Sequence, residues 1–178
     1  MVSVYGNCFI DNRDEVAIDW TQIVQEEKFM KKRLVWVRGE VDPMMFGAVQ
    51  GMAEKIVDAC ARDTASDPDR WTPENPAYSH CAVIALYVQE ALGGKLLRAS
   101  LEGMPKYAHM RSHYWNELPD GTQVDLSASQ FEESDRDQVP DGEERTREYL
   151  TGNEATRKRF ELLHSRLEAV IDKIRKGR

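Results

Sequence analysis

A thiol at Cys81, an imidazole at His113 and a carboxylate at Asp125 follow one another in this 178-residue chain. Side chains of these types, in that order, suit nucleophilic attack on a carbonyl carbon. The carboxylate holds the imidazole, the imidazole takes the thiol proton, and the thiolate attacks. The spacing predicts that Cys81 lies in the first turn of a helix capped by Ser79. There the helix dipole and free backbone N–H groups favour thiolate over thiol. A lone cysteine is more often a buried structural residue, and Cys8 and Cys60 are read that way. The same residues with His80 could instead ligate zinc. No paired Cys or His-x-x-x-His spacing supports that, so no metal and no cofactor is assigned.

The elements around these residues decide whether they can meet. Ser79 to Gly94 is apolar almost all round, which predicts a central buried helix closed by Gly93-Gly94. Strands are predicted over Lys95–Leu101, Ser112–Leu118 and Thr122–Leu126. Leu118-Pro119-Asp120-Gly121 suits a hairpin loop of three residues with glycine in the left-handed position. Leu118 then faces Thr122, Trp115 faces Asp125, and His113 faces Ser127. His113, Trp115, Asp125 and Ser127 share one strand face, while Tyr114, Val124 and Leu126 take the core side. Asp125 is diagonal to His113, within side-chain reach. A loop of only Asp120-Gly121 would put Asp125 on the wrong face. Trp115 is placed to cover the histidine or line a substrate groove, and Asn116 points away from it.

The rest of the chain reads as support. A helix is expected from Asp42-Pro43 to about Cys60, and another over Thr156–Ile174 with Phe160, Leu162, Leu163, Leu167, Val170, Ile171 and Ile174 in its stripe. Arg33–Val41 reads as a strand, Val2–Ile10 as a weaker one, and Asp19–Lys32 as a helix. Arg62 to Asn75 is a polar loop, and the acidic run Glu132–Glu144 is expected as a solvated loop. His109 and His164 are expected on the solvated surface. The chain carries 24 Lys and Arg against 31 Asp and Glu, a net charge of −7. That balance argues against a nucleic-acid binder. No apolar run is long enough to span a bilayer, and the N-terminus lacks a signal-peptide pattern. An odd count of three cysteines argues against a disulfide framework and for the cytoplasm.

Cysteine on a helix, histidine on a strand and aspartate on the next strand is the papain-like and transglutaminase-like order. Three segments resemble the YunG-like family of small bacterial proteins: Asn75–Gly94, Ser112–Phe131 and Arg147–Leu163, together covering about Trp71 to Leu167. The resemblance implies an α+β fold with a papain/transglutaminase-like core, and it implies catalytic roles for Cys81, His113 and Asp125. The family pattern has Gly-Gln ahead of the cysteine, where this chain has Ser79-His80. His80 would then replace that glutamine as an oxyanion donor, or the backbone would serve alone. By looser analogy Asn75 could contribute an amide, with Trp115 at the substrate. Residues 71–178 are expected as the core domain and residues 1–70 as an extension, on the same sheet or as an arm to a partner subunit in a homodimer. The function expected is a cysteine-dependent hydrolase or acyl transferase acting on an amide or ester, in a peptide or small molecule. The alternatives are an inactive binding module on the same fold and, more weakly, a metal-binding protein.

Overall fold

The computed structural model describes residues 35–40 and 43–177. The expected strand Val2–Ile10, the helix Asp19–Lys32, Cys8 and the Asp42 cap lie outside the described residues.

The Pro-Asp-Gly loop sets the register of the central hairpin. Gly121 takes φ +87°, a conformation that a Cβ would strain. Its N–H donates to the Leu118 carbonyl at 2.9 Å, and the Leu118 N–H donates to the Thr122 carbonyl at 2.8 Å. The Asp120 carboxylate accepts from the Thr122 N–H at 2.9 Å, closing the turn from inside. Strands β3 (Ser112–Glu117) and β4 (Gln123–Asp125) therefore pair Asn116 with Val124 and Glu117 with Gln123, the register expected from the sequence.

Strand β1 (Trp36–Arg38) pairs with β4, and β2 (Lys95–Ser100) pairs with β3. The sheet has the order β1-β4-β3-β2-β5 and is antiparallel throughout. Its outer strand β5 (Glu143–Arg145) pairs Leu96 with Arg145 and Arg98 with Glu143. The fold is α+β.

Three helices cover one sheet face. Helix α1 (Pro43–Ala59) buries Val49, Ala53, Ile56 and Ala59, one stripe of a helix of period 3.6. Helix α2 (Cys81–Leu92) buries Val83, Ile84, Ala85 and Leu86 in succession, a whole turn with no solvent side. A five-residue helix α3 (Arg147–Thr151) leads into the long helix α4 (Glu154–Lys176), capped by the Asn153 side chain on the Thr156 N–H at 2.9 Å. Helix α4 buries Phe160, Leu163 and Leu167 against the same core as Leu96, Val124 and Leu126. Fully burying each such side chain contributes about 1.5–3 kcal/mol of transfer free energy. The predicted stripe includes Leu162 and continues to Ile174, but these are 37% and 41% exposed: Leu162 lies off the buried face, and the last turns of α4 leave the core.

The other face is covered by chain expected to be solvated. The acidic segment folds as a 3₁₀ helix (Glu133–Gln138) and then as β5. Val139 packs on Leu97, Ala99 and Trp115, and a Cβ at Gly142 would stand 2.6 Å from the Trp115 ring. Val139 and Gly142 pack this segment on the sheet, and Asp135, Asp137 and Asp141 tie it to Tyr107, Trp36 and Arg38 by hydrogen bonds.

Candidate active site

Helix α2 begins at Cys81, with His80 at the N-cap position and no side-chain cap bond. Ser79 is not the cap. It sits at φ +64°, a left-handed conformation that costs a non-glycine residue about 1–3 kcal/mol. Its N–H is held by the Gln130 side chain, whose Oε1 accepts at 2.9 Å. Gln130 in turn donates from Nε2 to the Ser127 carbonyl at 3.0 Å. One buried amide thus joins the turn before Cys81 to the turn after Asp125.

His80 is fully buried. Its Nδ1 lies 2.7 Å from the Tyr78 carbonyl, and its Nε2 lies 2.8 Å from Thr64 Oγ1. Burial is the main cause that pushes its pKa down to about 4, so the ring is neutral at pH 7. Both nitrogens are engaged inside the fold, which places the ring as a brace for the loop entering α2.

His113 and Asp125 lie on the same face of the hairpin, with Nε2 of the ring 2.6 Å from Oδ2 of the carboxylate. The other carboxylate oxygen accepts from both the Ser127 N–H and the Ser127 hydroxyl, each at 2.8 Å. Burial opposes the charge on either partner. The paired imidazolium, and then the Ser127 donors, still hold the Asp125 pKa below its ordinary value. Burial likewise lowers the His113 pKa, but the Asp125 charge and hydrogen bond, followed by Cys81, push it up to about 10.

A carboxylate accepts only, so Nε2 carries a hydrogen and Nδ1 is left for the thiol. Nδ1 is buried with no hydrogen-bond partner, and Cys81 is close enough to raise the pKa of the ring. A loose contact of this kind is common in unliganded sites. Trp115 stacks on His113 at 5.7 Å between ring centroids, and Phe131 meets it edge-on at 4.7 Å. Trp115 donates from Nε1 to Gln123 Oε1 at 3.1 Å. That bond fixes the indole against the imidazole.

Cys81 is partly exposed in a groove of about 640 Å³. Its lining includes Ser79, Ser112, Tyr114 and Gln130, together with Tyr149, Asn153, Thr156 and Arg159 from α3, α4 and the turn between them. His109 reaches the groove as well and shares a 3.0 Å hydrogen bond with the Tyr78 hydroxyl. His164 is paired with Glu90 at 2.8 Å. The two positive-φ residues other than glycine among those described, Ser79 and Arg111, both line this groove.

The structure therefore brings together Cys81, His113 and Asp125. Trp115 stands behind the histidine and His80 behind the helix start. Asn75 lies outside this groove, in an adjoining depression with Tyr78, Lys106 and Ser129, and its Oδ1 is buried without a partner. Among the described residues no group of three or more His, Cys, Asp or Glu side chains could hold a metal ion. No described helix is long and apolar enough to cross a membrane.

Two residues at the site are not singled out by the sequence reading. Gln130 is a glutamine in a polar loop, with no local signal. Arg159 is visible in retrospect, because it sits one residue before Phe160 and four before Leu163, at the edge of the buried stripe of α4.

Among curated proteins and among solved structures the chain finds no match. A family model described as YunG protein matches residues 49–172, from the middle of α1 to near the end of α4 and including all three site residues. Most of the sheet, the buried cysteine helix and the groove lie within that span, and the chain belongs to the YunG family.

Proposed function

We propose that the protein is a cysteine-dependent hydrolase or acyl transferase that acts on an amide or ester through a thioacyl intermediate. The observation that carries this reading is the line Asp125–His113–Cys81. It comprises a buried carboxylate 2.6 Å from the imidazole and a partly exposed thiol close enough to raise the pKa of that ring. The order of helix cysteine, strand histidine and strand aspartate is that of papain-like and transglutaminase-like enzymes, and the groove at Cys81 gives a carbonyl somewhere to lie.

The cycle follows from the donor and acceptor inventory. The thiol proton passes to His113 Nδ1, leaving a thiolate beside an imidazolium that Asp125 holds. The Cys81 sulfur forms a bond to the substrate carbonyl carbon, and the carbonyl π electrons move to its oxygen. Backbone N–H groups of the first turn of α2 have no intrahelical acceptors, so they can receive that negative charge. The oxygen lone pair re-forms the carbonyl as the bond to the leaving amine or alcohol breaks, and the leaving group takes the proton from Nδ1. Water or another nucleophile then gives its proton to Nδ1, attacks the thioester and releases the thiolate.

A binding module that has lost turnover is the second reading. It rests on His80, which stands where the family pattern has glutamine and whose two ring nitrogens are held by Tyr78 and Thr64. Alkylation of Cys81 by iodoacetamide across a pH series tests the activated thiol. The expected rate is level from about pH 5.5 to 8, and His113→Ala restores an ordinary thiol titration near about 8.5. An ordinary titration in the native protein would sink the proposal. An acylating activity probe that labels the native protein but not Cys81→Ala separates the enzyme from the inert module.

A further inference from the structure

The groove carries more positive charge than the chain as a whole would supply. The sequence has a net charge of −7, yet the charged side chains lining the groove are Arg111, Arg159 and Asp67, with Cys81 and His109 beside them. Arg159 projects from α4, opposite the helix that carries Cys81. Its Nη2 donates to Thr156 Oγ1 at 3.1 Å, while its Nη1 is buried with no hydrogen-bond partner. Two neighbouring arginines are neutralised by carboxylates. Arg166 clasps Asp63 through two bonds of 2.8 and 2.7 Å, and Arg147 reaches Glu90 at 2.6 Å. Arg159 has no ion pair among the described residues, and burial disfavours its charge. A half-buried guanidinium without a carboxylate is costly unless a ligand completes it.

Arg111 stands at the same groove in a left-handed backbone conformation, φ +63°. Strain at a groove-lining residue points to a side chain held there for use. A guanidinium fork fits the two oxygens of a carboxylate. The Cys81 thiolate and Asp67 disfavour a ligand of higher negative charge, which argues for a carboxylate over a phosphate.

We propose that Arg159, with Arg111, binds a carboxylate on the substrate, so that the acyl compounds accepted at Cys81 are acidic amides or esters. This rests on the reading of Cys81 as a reactive thiolate. Arg159 acts here as a specificity-determining residue rather than in the bond-making steps.

Paired alkylating reagents, one anionic and one neutral, test it without a known substrate. Iodoacetate carries a carboxylate next to the carbon attacked, whereas iodoacetamide is neutral and similar in shape. Rates are compared above the pH at which Cys81 is fully thiolate, with glutathione measured alongside as a free thiol. The expected iodoacetate-to-iodoacetamide ratio is on the order of fivefold above that of glutathione, and it falls as salt is added. Arg159→Gln brings it down to the glutathione value, and Arg159→Lys keeps most of it. N-acetylglycine slows the iodoacetate reaction more than an equal concentration of inorganic phosphate does. A native ratio equal to that of glutathione, or one that survives Arg159→Gln, would overturn the proposal, and stronger protection by phosphate would overturn the choice of carboxylate. Where Arg159→Gln fails to fold, Arg111→Gln at an exposed groove residue decides: a ratio unchanged from the native one overturns the proposal, since the His113 imidazolium alone would also attract iodoacetate. An unreactive thiol shows instead as slow reaction with both reagents, which separates failure of the acyl-transfer reading from failure of this one.

Discussion

Replacing His80 should remove most of the sensitivity of this fold to mild acid. The folded protein keeps His80 neutral, with a pKa pushed down to about 4 from an ordinary 6.5, mainly by burial. Between those values the unfolded chain holds a proton at this ring and the folded chain does not. Stability therefore falls as pH drops, by about 1.4 kcal/mol per pH unit and about 3 kcal/mol in all. His113 has the opposite sign. Its pKa is raised to about 10, so its contribution is complete below pH 6.5 and is lost only as pH rises toward 10. Asp125 and Asp63 are held below their ordinary values, so what they contribute is lost at and below about pH 4. The window between pH 6.5 and 4.5 thus isolates His80 among these groups. Urea unfolding at pH 6.5, 5.5 and 4.5 should show the native protein losing about 2 kcal/mol from end to end. His80→Asn should start less stable, because it leaves a gap beside Thr64, but lose much less over the same range. Equal slopes in the two proteins would refute the assignment of His80 as a ring buried in its neutral form.

Gln130→Ala should lower stability by about 1–3 kcal/mol, since it strands the Ser79 N–H. It should also slow alkylation of Cys81 at neutral pH, and a variant that alkylates like the native protein would show that the amide bridge does not position the thiol. Gly94→Ala would push a Cβ into the Glu117 carbonyl at φ +81°, and a loss of about 2–4 kcal/mol is expected in thermal melts. A loss under about 1 kcal/mol would mean that the α2–β2 turn can shift to make room.

Local chemistry made parts of this structure legible. Leu-Pro-Asp-Gly set one hairpin register, that register put His113 and Asp125 on one face, and the structure holds them at 2.6 Å. The apolar run after Cys81 marked a helix buried all round. What escaped was set at long range. Ser79 reads as a cap, but its N–H is claimed by a side chain 51 residues away, and the helix starts two residues later. Strand β5 is Glu-Glu-Arg, with no strand signal of its own, and exists because β2 offers it an edge. Arg159 reads as one more charge on a charged helix until α4 is seen to close the groove. His80 carries the same residue type as a catalytic base, and only its burial and two internal bonds separate it from His113.

The burial of His113 also constrains the order of events. The ring is 1% exposed, with Trp115 and Phe131 against it, so the groove presents the sulfur and hides the base. Any molecule that gives a proton to Nδ1 must reach it from the Cys81 side. On the acyl-transfer reading, the departing group and the incoming acceptor then use the same opening in turn. Kinetics of the double-displacement type follow, with parallel double-reciprocal lines for two substrates. Hydrolysis and transfer would become rival outcomes of one competition, decided by whether water or a better-held nucleophile occupies the groove while the thioester lasts.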